Sequence, residues 1–352
     1  MLFGFGSNSQ GVLGTGDDQD RSCPDRVLDL SSVRCLLCSG VHCLATTLEG
    51  RVFAWGSNEF RQVCVEDAEV KSVATATEIR FPCPIKIIAT SIWHCLAISD
   101  HDQVWSWGWG QHGQLGYKSA IQPTPKLVPI EGFSFKAAAC GWKHSLVMTQ
   151  EGKLLGWGSN KNGVLGPKDR VVAEVPSLVA LPFNVSSIAC GMNHSVCLSC
   201  DGQVFAFGDN KFGQLGRSVE EVRCSFEPVA VMESKTFVAI ACGWNHCLAL
   251  EENGMVWGWG KNDLGQLGPG TKQPYLAPRR MIVDVPCKKI FCGSESCIVE
   301  TFEGCYLSWG WNEHHNINPS SALHVMTPSP LDERIKEIVA VGGASVFCTL
   351  KE

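Results

Sequence analysis

An aromatic residue followed by glycine recurs seven times along this 352-residue chain at an almost constant interval. The glycines lie 50, 52, 50, 50, 52 and 50 residues apart, at Phe5-Gly6, Trp55-Gly56, Trp107-Gly108, Trp157-Gly158, Phe207-Gly208, Trp259-Gly260 and Trp309-Gly310. A fixed period of this length is typical of repeat architectures, in which each repeat is one supersecondary unit. The period therefore constrains the fold more than chain length does, which by itself would suggest two or three domains.

The segment around each aromatic-glycine pair has the pattern of short strands joined by tight turns. In residues 139–158 two apolar stretches flank a turn at Gly141, and a two-residue turn then leads to a third stretch that ends at Trp157-Gly158. Five repeats continue with a G-x-L-G string, at residues 11–14, 113–116, 163–166, 213–216 and 265–268. A proline-bearing loop and a fourth apolar stretch complete the repeat. Four strands without helical periodicity predict a propeller blade.

The sequence thus predicts an all-β fold, a single domain over residues 1–352 built as a seven-bladed β-propeller of four-stranded antiparallel blades. Residues 2–6 supply the strand that the last repeat lacks, so we expect the N-terminal strand to complete the C-terminal blade and close the ring. Two repeats depart from the pattern. Residues 61–64 and 315–318 replace the G-x-L-G string, and acidic residues 66–69 follow the first of them. We expect irregular loops there.

Charge and cysteine content exclude several classes of function. The formal net charge is −6 and no run of lysine or arginine forms the positive stripe that nucleic-acid backbones require, so direct nucleic-acid binding is not expected. Nineteen cysteines in a chain of this size favour a reducing compartment over a disulfide framework. No leader peptide and no apolar stretch of membrane-spanning length is recognised. We expect a cytoplasmic protein that also has access to the nucleus.

Histidine and cysteine recur once per repeat, the histidines at His42, His94, His144, His194 and His246. Neighbouring histidines belong to different blades, on the order of 10 Å apart, too far to share one metal ion. We expect each to hydrogen-bond backbone groups of its own blade. Two C-x-x-C strings, 35–38 and 197–200, fall in predicted strands, where residues three apart point to opposite faces. No metal, cofactor or catalytic residue is therefore predicted.

Five tryptophans occupy loops that should open on the same rim of the ring. In an up-and-down blade, the loops after the first and third strands lie at the same end. The residues expected on this rim are Trp93, Trp109, Trp142, Trp244 and Trp311, with Lys143, Asn312, Glu313 and His314. Two interpretations stay open: the rings pack sideways between blades, or they form the exposed centre of an interface with a protein partner.

The C-G-x-x-H-S string at residues 140–145, the W-G pairs and the G-Q-L-G strings resemble the repeats of the regulator of chromosome condensation family across essentially the whole chain. Residues 308–314 are more similar to the subgroup of secretion-regulating guanine nucleotide exchange factors and alpha-tubulin suppressor proteins. The resemblance implies a propeller that acts as a scaffold or regulatory partner of a small GTPase or of a translation or tRNA-modification factor, and we expect the chain to be a monomer. The alternative it implies is guanine nucleotide exchange on a small GTPase, without covalent chemistry. This sequence has neither the founder's basic tail nor an insertion long enough for its β-wedge.

Overall fold

A computed structural model describes residues 1–27, 30, 32–65, 67, 69–166, 171–318 and 322–351 of the chain. Twenty-eight strands form seven four-stranded antiparallel sheets, which confirms the predicted seven-bladed propeller. The helical element within the described residues is a 3-10 turn at Ser9–Gly11. Among the described residues there is no helix of the length and apolar character that crossing a membrane requires.

Six blades consist of consecutive strands. Blades 1 to 3 contain β3 (Val33–Cys38), β4 (His42–Thr47), β5 (Val52–Ser57) and β6 (Ser72–Ile79); β7 (Ile85–Thr90), β8 (His94–Ser99), β9 (Val104–Trp109) and β10 (Ile121–Leu127); and β11 (Phe135–Cys140), β12 (His144–Thr149), β13 (Leu154–Ser159) and β14 (Val172–Val179). Blades 4 to 6 contain β15 (Val185–Cys190), β16 (His194–Ser199), β17 (Val204–Asp209) and β18 (Cys224–Met232); β19 (Phe237–Cys242), β20 (His246–Glu251), β21 (Val256–Gly260) and β22 (Tyr275–Arg280); and β23 (Cys287–Cys292), β24 (Ser296–Thr301), β25 (Tyr306–Trp311) and β26 (His324–Pro330).

The seventh blade joins the two ends of the chain. Its strand order is β2 (Arg21–Arg26), β1 (Phe3–Gly6), β28 (Ser345–Leu350) and β27 (Ile335–Gly342). β1 pairs with β28 in antiparallel register, with Phe3 opposite Cys348 and Gly6 opposite Ser345. The predicted closure by the N-terminal strand is confirmed.

Burial differs from strand to strand within a blade. The second strands of blades 1 to 6 are buried along their whole length, because both faces of each blade pack against neighbouring blades. The fourth strands lie at the outer edge, and most of their residues are partly or fully exposed. Six of these seven outer strands contain proline, at Pro24, Pro123, Pro125, Pro176, Pro228, Pro278, Pro328 and Pro330. Proline is tolerated at an edge because its missing N–H would have faced solvent, and it discourages pairing with another chain.

The aromatic ring of each aromatic-glycine pair seals the boundary between two blades. Trp55, Trp107, Trp157, Trp259 and Trp309 are all at most 1% exposed. Each indole Nε1 donates a hydrogen bond to a backbone carbonyl in a loop of the preceding blade: Val12, Gln62, Gln114, Gln214 and Gln266, at 2.8–2.9 Å. The accepting carbonyls belong to the G-x-L-G strings or their equivalents. The two sequence signatures are therefore the two halves of one contact between blades.

The repeats that lack glycine in this string nevertheless keep its turn. Arg61, Cys64 and His315 adopt positive φ angles of 69°, 60° and 56°, a region that glycines occupy in the other repeats. The Cys64 N–H donates to the Arg61 carbonyl at 3.3 Å, as Gly14 donates to Gly11. The expectation of irregular loops is wrong for these turns, because they keep the backbone conformation of the glycine-bearing repeats. Residues 66, 68 and 319–321 lie outside the described residues.

Candidate partner-binding face

Four aromatic side chains form a continuous, half-buried group at one end of blades 1 to 3, which we call the aromatic patch: Phe60, Trp93, Trp109 and Trp142. Trp93 lies at its centre. Its ring centroid is 4.4 Å from that of Trp109 in a T-shaped contact and 5.0 Å from that of Trp142 in a stacked contact. Phe60 contacts both Trp93 and Trp109, at 6.4 and 5.8 Å. The structure therefore brings together three of the five predicted rim tryptophans and adds Phe60.

The backbone of two turns holds the patch in place. Trp93 lies in the turn between β7 and β8, and Trp109 is the last residue of β9. The Trp109 N–H donates to the Trp93 carbonyl at 2.8 Å, which fixes the two loops side by side. Two polar groups contact the rings at the edge of the patch: the Lys143 ammonium lies 5.6 Å from the Trp93 centroid and the His112 ring lies 5.0 Å from that of Trp109. Burial, and then the neighbouring Lys143, lower the pKa of His112.

Trp142 and Trp244 also line the mouth of the axial channel, a cavity of about 200 Å³. The tips of the first hairpins are linked around this mouth by backbone hydrogen bonds of 3.0–3.1 Å. The bonds run from Trp142 N–H to Met192 O, from Met192 N–H to Trp244 O, from Trp244 N–H to Ser294 O and from Ser294 N–H to Gly343 O. The hairpin tips of blades 3 to 7 thus form a belt along one side of the mouth, and Trp244 is held on the same face as the aromatic patch.

The predicted residues of blade 6 form a separate group. The Trp311 N–H donates to the Glu295 carbonyl in the hairpin of its own blade at 2.9 Å, so Trp311 is on the predicted face. Its ring contacts His314 at 5.3 Å, and His314 Nδ1 lies 2.7 Å from an Asp20 carboxylate oxygen. Glu313 is exposed. Within the part of the chain that the structure describes, no ring contact connects this group to the aromatic patch.

Residues 1–350 match the family model for the RCC1-like domain. This chain belongs to that family. The ultraviolet-B receptor UVR8 of Arabidopsis thaliana is 31% identical to the RCC1-like chain over 278 residues, which cover 76% of the chain and 62% of UVR8. The probable E3 ubiquitin-protein ligase HERC6 of Homo sapiens is 36% identical over 144 residues, 39% of the chain and 14% of HERC6. The chain thus corresponds to less than two thirds of either relative.

Solved structures show the same architecture. Prp20p of Saccharomyces cerevisiae superposes with a TM-score of 0.87 and 23% identity, covering 99% of this chain and 90% of that one. Human WBSCR16 superposes with a TM-score of 0.88 and 20% identity, covering 100% and 98%. At these identities the likeness establishes the fold. The subgroup resemblance stays a prediction.

Asn312 is 1% exposed and so does not lie on the surface of the predicted rim. Its side-chain oxygen accepts the Ile317 N–H at 3.0 Å, and its amide donates to the Asn318 and Ala322 carbonyls. Asparagine recurs at this place, two residues after the aromatic-glycine pair, and holds its loop at Asn8, Asn58, Asn160, Asn210 and Asn262. This structural role was not predicted from the sequence, although the regular recurrence of asparagine was the signal for it.

The five repeated histidines hydrogen-bond side chains of the following blade, so the expectation of backbone bonds within their own blade is wrong. His94 Nε2 lies 2.8 Å from Ser145 Oγ, and His144 Nε2 lies 3.1 Å from Ser195 Oγ. His42 reaches Thr90 Oγ1 at 2.7 Å and a cysteine sulfur beside it. Burial lowers the pKa of His42, His94 and His144 to about 3. These imidazoles are neutral and join blade to blade.

Five cysteines at the ends of first strands line the axial channel: Cys38, Cys140, Cys190, Cys242 and Cys292. Burial raises the pKa of the Cys140 and Cys190 thiols well above its usual range. Of the C-x-x-C strings, residues 35 and 38 lie within β3, whereas Cys200 is exposed in the turn after β16. Neither string belongs to a described cluster of metal-binding geometry. Two such clusters do exist elsewhere among the described residues, and each combines a histidine of one blade with two cysteines of the next.

Proposed function

We propose that this RCC1-like propeller is an interaction module that binds a protein partner through the aromatic patch and acts as a scaffold or regulatory partner. The observation that carries the proposal is the contiguity of Phe60, Trp93, Trp109 and Trp142, all half-buried, on one face. Large aromatic side chains gathered at the centre of a polar rim are the residues that contribute most to binding at protein interfaces.

The rigidity of the patch supports the same function. A backbone hydrogen bond of 2.8 Å joins Trp109, at the end of β9, to Trp93 in the turn before β8, and Trp142 belongs to the belt at the channel mouth. Because these side chains are already ordered by one another, little conformational entropy remains to be lost when a partner binds.

The charge beside the patch indicates what the partner presents. Lys143 lies against Trp93, and Lys161 and Lys211 are exposed in the loops that follow β13 and β17 at the same end of the blades. The blade 6 side of the same face carries the exposed Glu313. A protein with an apolar side chain flanked by acidic residues would complement the aromatic patch and the adjacent lysines, and the opposite charges would set its orientation.

Substitution of the patch tests the proposal. Partners captured by the full chain are identified, and dissociation constants are measured by calorimetry for Trp93→Ala and Trp109→Ala. A matched control is Trp257→Ala: Trp257 is also half-buried, but it lies near the start of β21, whose other end reaches the predicted face. We expect at least about a 30-fold loss of affinity for each patch variant, equivalent to about 2 kcal/mol. Folded patch variants that bind as tightly as the control would refute the assignment.

A small GTPase is the second candidate partner, with guanine nucleotide exchange as the activity. The supporting observation is the superposition on Prp20p, for which binding to Gsp1p and histones has been described. Exchange requires only that the propeller stabilise the nucleotide-free state of its partner. The test is release of fluorescent GDP from a panel of small GTPases. Acceleration that Trp93→Ala abolishes supports exchange at the patch, and partner capture without acceleration leaves scaffolding alone.

We also propose that the chain is a cytoplasmic monomer with access to the nucleus. All nineteen cysteines are free, which suits a reducing compartment. Light scattering of the purified chain and imaging of a tagged chain test the two statements. A dimer, or confinement to a secretory organelle, would contradict them.

A further inference from the structure

Two interfaces between neighbouring blades each place one imidazole against two thiols. At the first, His194 Nε2 from β16 lies 3.1 Å from Cys247 Sγ, and Cys242 Sγ lies 3.9 Å from Cys247 Sγ. At the second, His246 Nε2 lies 3.3 Å from Cys297 Sγ, and Cys292 Sγ lies 3.9 Å from Cys297 Sγ. In each triad all three donor atoms are within 4.8 Å of one another.

We propose that each triad binds one zinc ion, so that the propeller holds two zinc ions side by side at the wall of its axial channel. Histidine nitrogen and cysteine sulfur are the ligands that zinc prefers. With zinc–sulfur bonds of about 2.3 Å in tetrahedral geometry, two ligating sulfurs are about 3.8 Å apart. In both triads the two sulfurs are 3.9 Å apart, which matches the sulfur–sulfur separation expected around zinc. The distances from His194 to Cys247 and from His246 to Cys297, 3.1 and 3.3 Å, need to lengthen by only a few tenths of an ångström, which small side-chain rotations supply.

Charge balance favours the ion in this environment. His194 and Cys247 are both 0% exposed, and so are His246 and Cys297. Two thiolates and a neutral imidazole around a divalent cation form a site without net charge, so burial carries little electrostatic cost. The cluster can therefore exist deep between blades without a further charged partner.

The backbone holds the ligands ready. Cys242 and Cys247 face each other directly in the antiparallel pairing of β19 with β20, and Cys292 and Cys297 do so in β23 with β24. The imidazole of His194 fits because the neighbouring residue is glycine: a Cβ on Gly191 would lie 2.0 Å from its Cε1 atom. Each ligand thus comes from a regular strand rather than a flexible loop, which favours a preorganised site.

The channel provides both entry and the remaining coordination position. Cys242 and Cys292 are partly exposed and line the cavity of about 200 Å³. Three protein ligands leave the fourth position of a tetrahedral ion open, as in zinc sites that keep a water or an exogenous ligand. A water from the channel would occupy it.

The other blades show why the site is confined to these two interfaces. In blade 3 the facing pair is Cys140 and Ser145, and the histidine from the preceding blade is His94. In blade 4 the facing pair is Cys190 and Ser195, and the histidine is His144. A hydroxyl thus replaces one of the two sulfurs in both blades.

In blade 2 the corresponding pair is Thr90 with Cys95. In blade 1 two cysteines, Cys38 and Cys43, do face each other, but Ser345 takes the place of the histidine in the preceding blade. The positions in blades 2 to 4 are matched controls within the same chain, since they share the fold and the histidine.

Metal content of the intact chain tests the proposal. The full chain, purified with a phosphine reductant and stripped with chelator, is titrated with zinc and with cobalt(II), and bound metal is measured by mass spectrometry. We expect two equivalents, with cobalt giving thiolate charge-transfer bands in the near ultraviolet. Cys242→Ser and Cys292→Ser should each remove one equivalent. Cys190→Ser should remove none.

A gain-of-site variant keeps the test independent of any loss of folding. Ser195→Cys places a second sulfur beside Cys190 and His144, and should raise zinc uptake by one equivalent. The proposal is overturned if the wild-type chain binds no metal at saturating zinc, if Cys190→Ser lowers uptake as much as Cys242→Ser, or if a separate preparation without reductant shows the facing cysteines as disulfides, two hydrogens lighter per pair. None of these measurements depends on the partner-binding proposal.

Discussion

The hydrogen bond from each buried tryptophan to the preceding blade predicts that two identical substitutions will have unequal effects. Trp107 Nε1 donates to the Gln62 carbonyl at 2.8 Å, and this carbonyl has no other donor among the described residues. Trp157 Nε1 donates to the Gln114 carbonyl at 2.8 Å, but Ser145 Oγ donates to the same oxygen, also at 2.8 Å. Replacing either tryptophan by phenylalanine removes the indole donor, and only Trp107→Phe leaves a buried carbonyl unpaired.

The expected magnitudes follow from these contacts. Both rings are 0% exposed, so the smaller phenylalanine leaves roughly 40 Å³ unfilled, which costs about 1 kcal/mol. For Trp107→Phe an unsatisfied carbonyl adds about 1–3 kcal/mol, and for Trp157→Phe the loss of one of two bonds adds about 0.5–1.5 kcal/mol. We therefore expect Trp107→Phe to cost about 2–4 kcal/mol and Trp157→Phe about 1.5–2.5 kcal/mol.

Urea unfolding followed by far-ultraviolet circular dichroism measures both free energies without relying on tryptophan fluorescence. Adding Ser145→Ala to Trp157→Phe removes the remaining donor, so the double variant should lose more stability than the sum of the single losses. Equal destabilisation by Trp107→Phe and Trp157→Phe, or strict additivity of Ser145→Ala with Trp157→Phe, would refute the reasoning.

Three further predictions concern repeated structural residues. Asn210→Ala removes the acceptor of the Leu215 N–H and the donor to two carbonyls, and should lower the free energy of unfolding by about 2–3 kcal/mol in the same urea assay. Gly191→Ala should cost more than about 2 kcal/mol because its Cβ would overlap the His194 ring, whereas Gly132→Ala, with open space around it, should cost only about 1 kcal/mol of backbone strain in thermal or urea unfolding. Burial lowers the pKa of His144 to about 3, below the value of about 6.5 in an unfolded chain, so the unfolded state takes up a proton that the folded state does not as pH falls below about 6.5. Stability should therefore decrease by about 1.5 kcal/mol per such histidine between pH 6.5 and pH 5, and His144→Gln should flatten the measured pH dependence by that amount.

The candidate face was only partly accessible to sequence reasoning. The up-and-down order of the strands was enough to place five tryptophans at one end of their blades: Trp93, Trp109, Trp142, Trp244 and Trp311. The sequence did not show which of these rings contact one another. Phe60 joins the patch from the preceding blade, whereas Trp311 contacts His314 on the far side of the ring. Asn312 directly precedes the exposed Glu313 in the sequence, but its side chain points inward and accepts a hydrogen bond from the Ile317 N–H of its own loop.

The sequence by itself determined the number of blades, the strand order and the closure of the ring, because an aromatic-glycine pair every 50 or 52 residues is a local signal that each blade repeats. Tertiary structure alone decided which repeated residues face one another across blades. His194 meets Cys242 and Cys247, and Trp157 meets the Gln114 carbonyl, through contacts between residues about 50 positions apart, whose approach depends on the curvature of the ring and on side-chain rotamers. A pattern within one repeat carries no information on contacts between repeats. The repeated histidines and cysteines therefore could not be recognised as contact partners from the sequence.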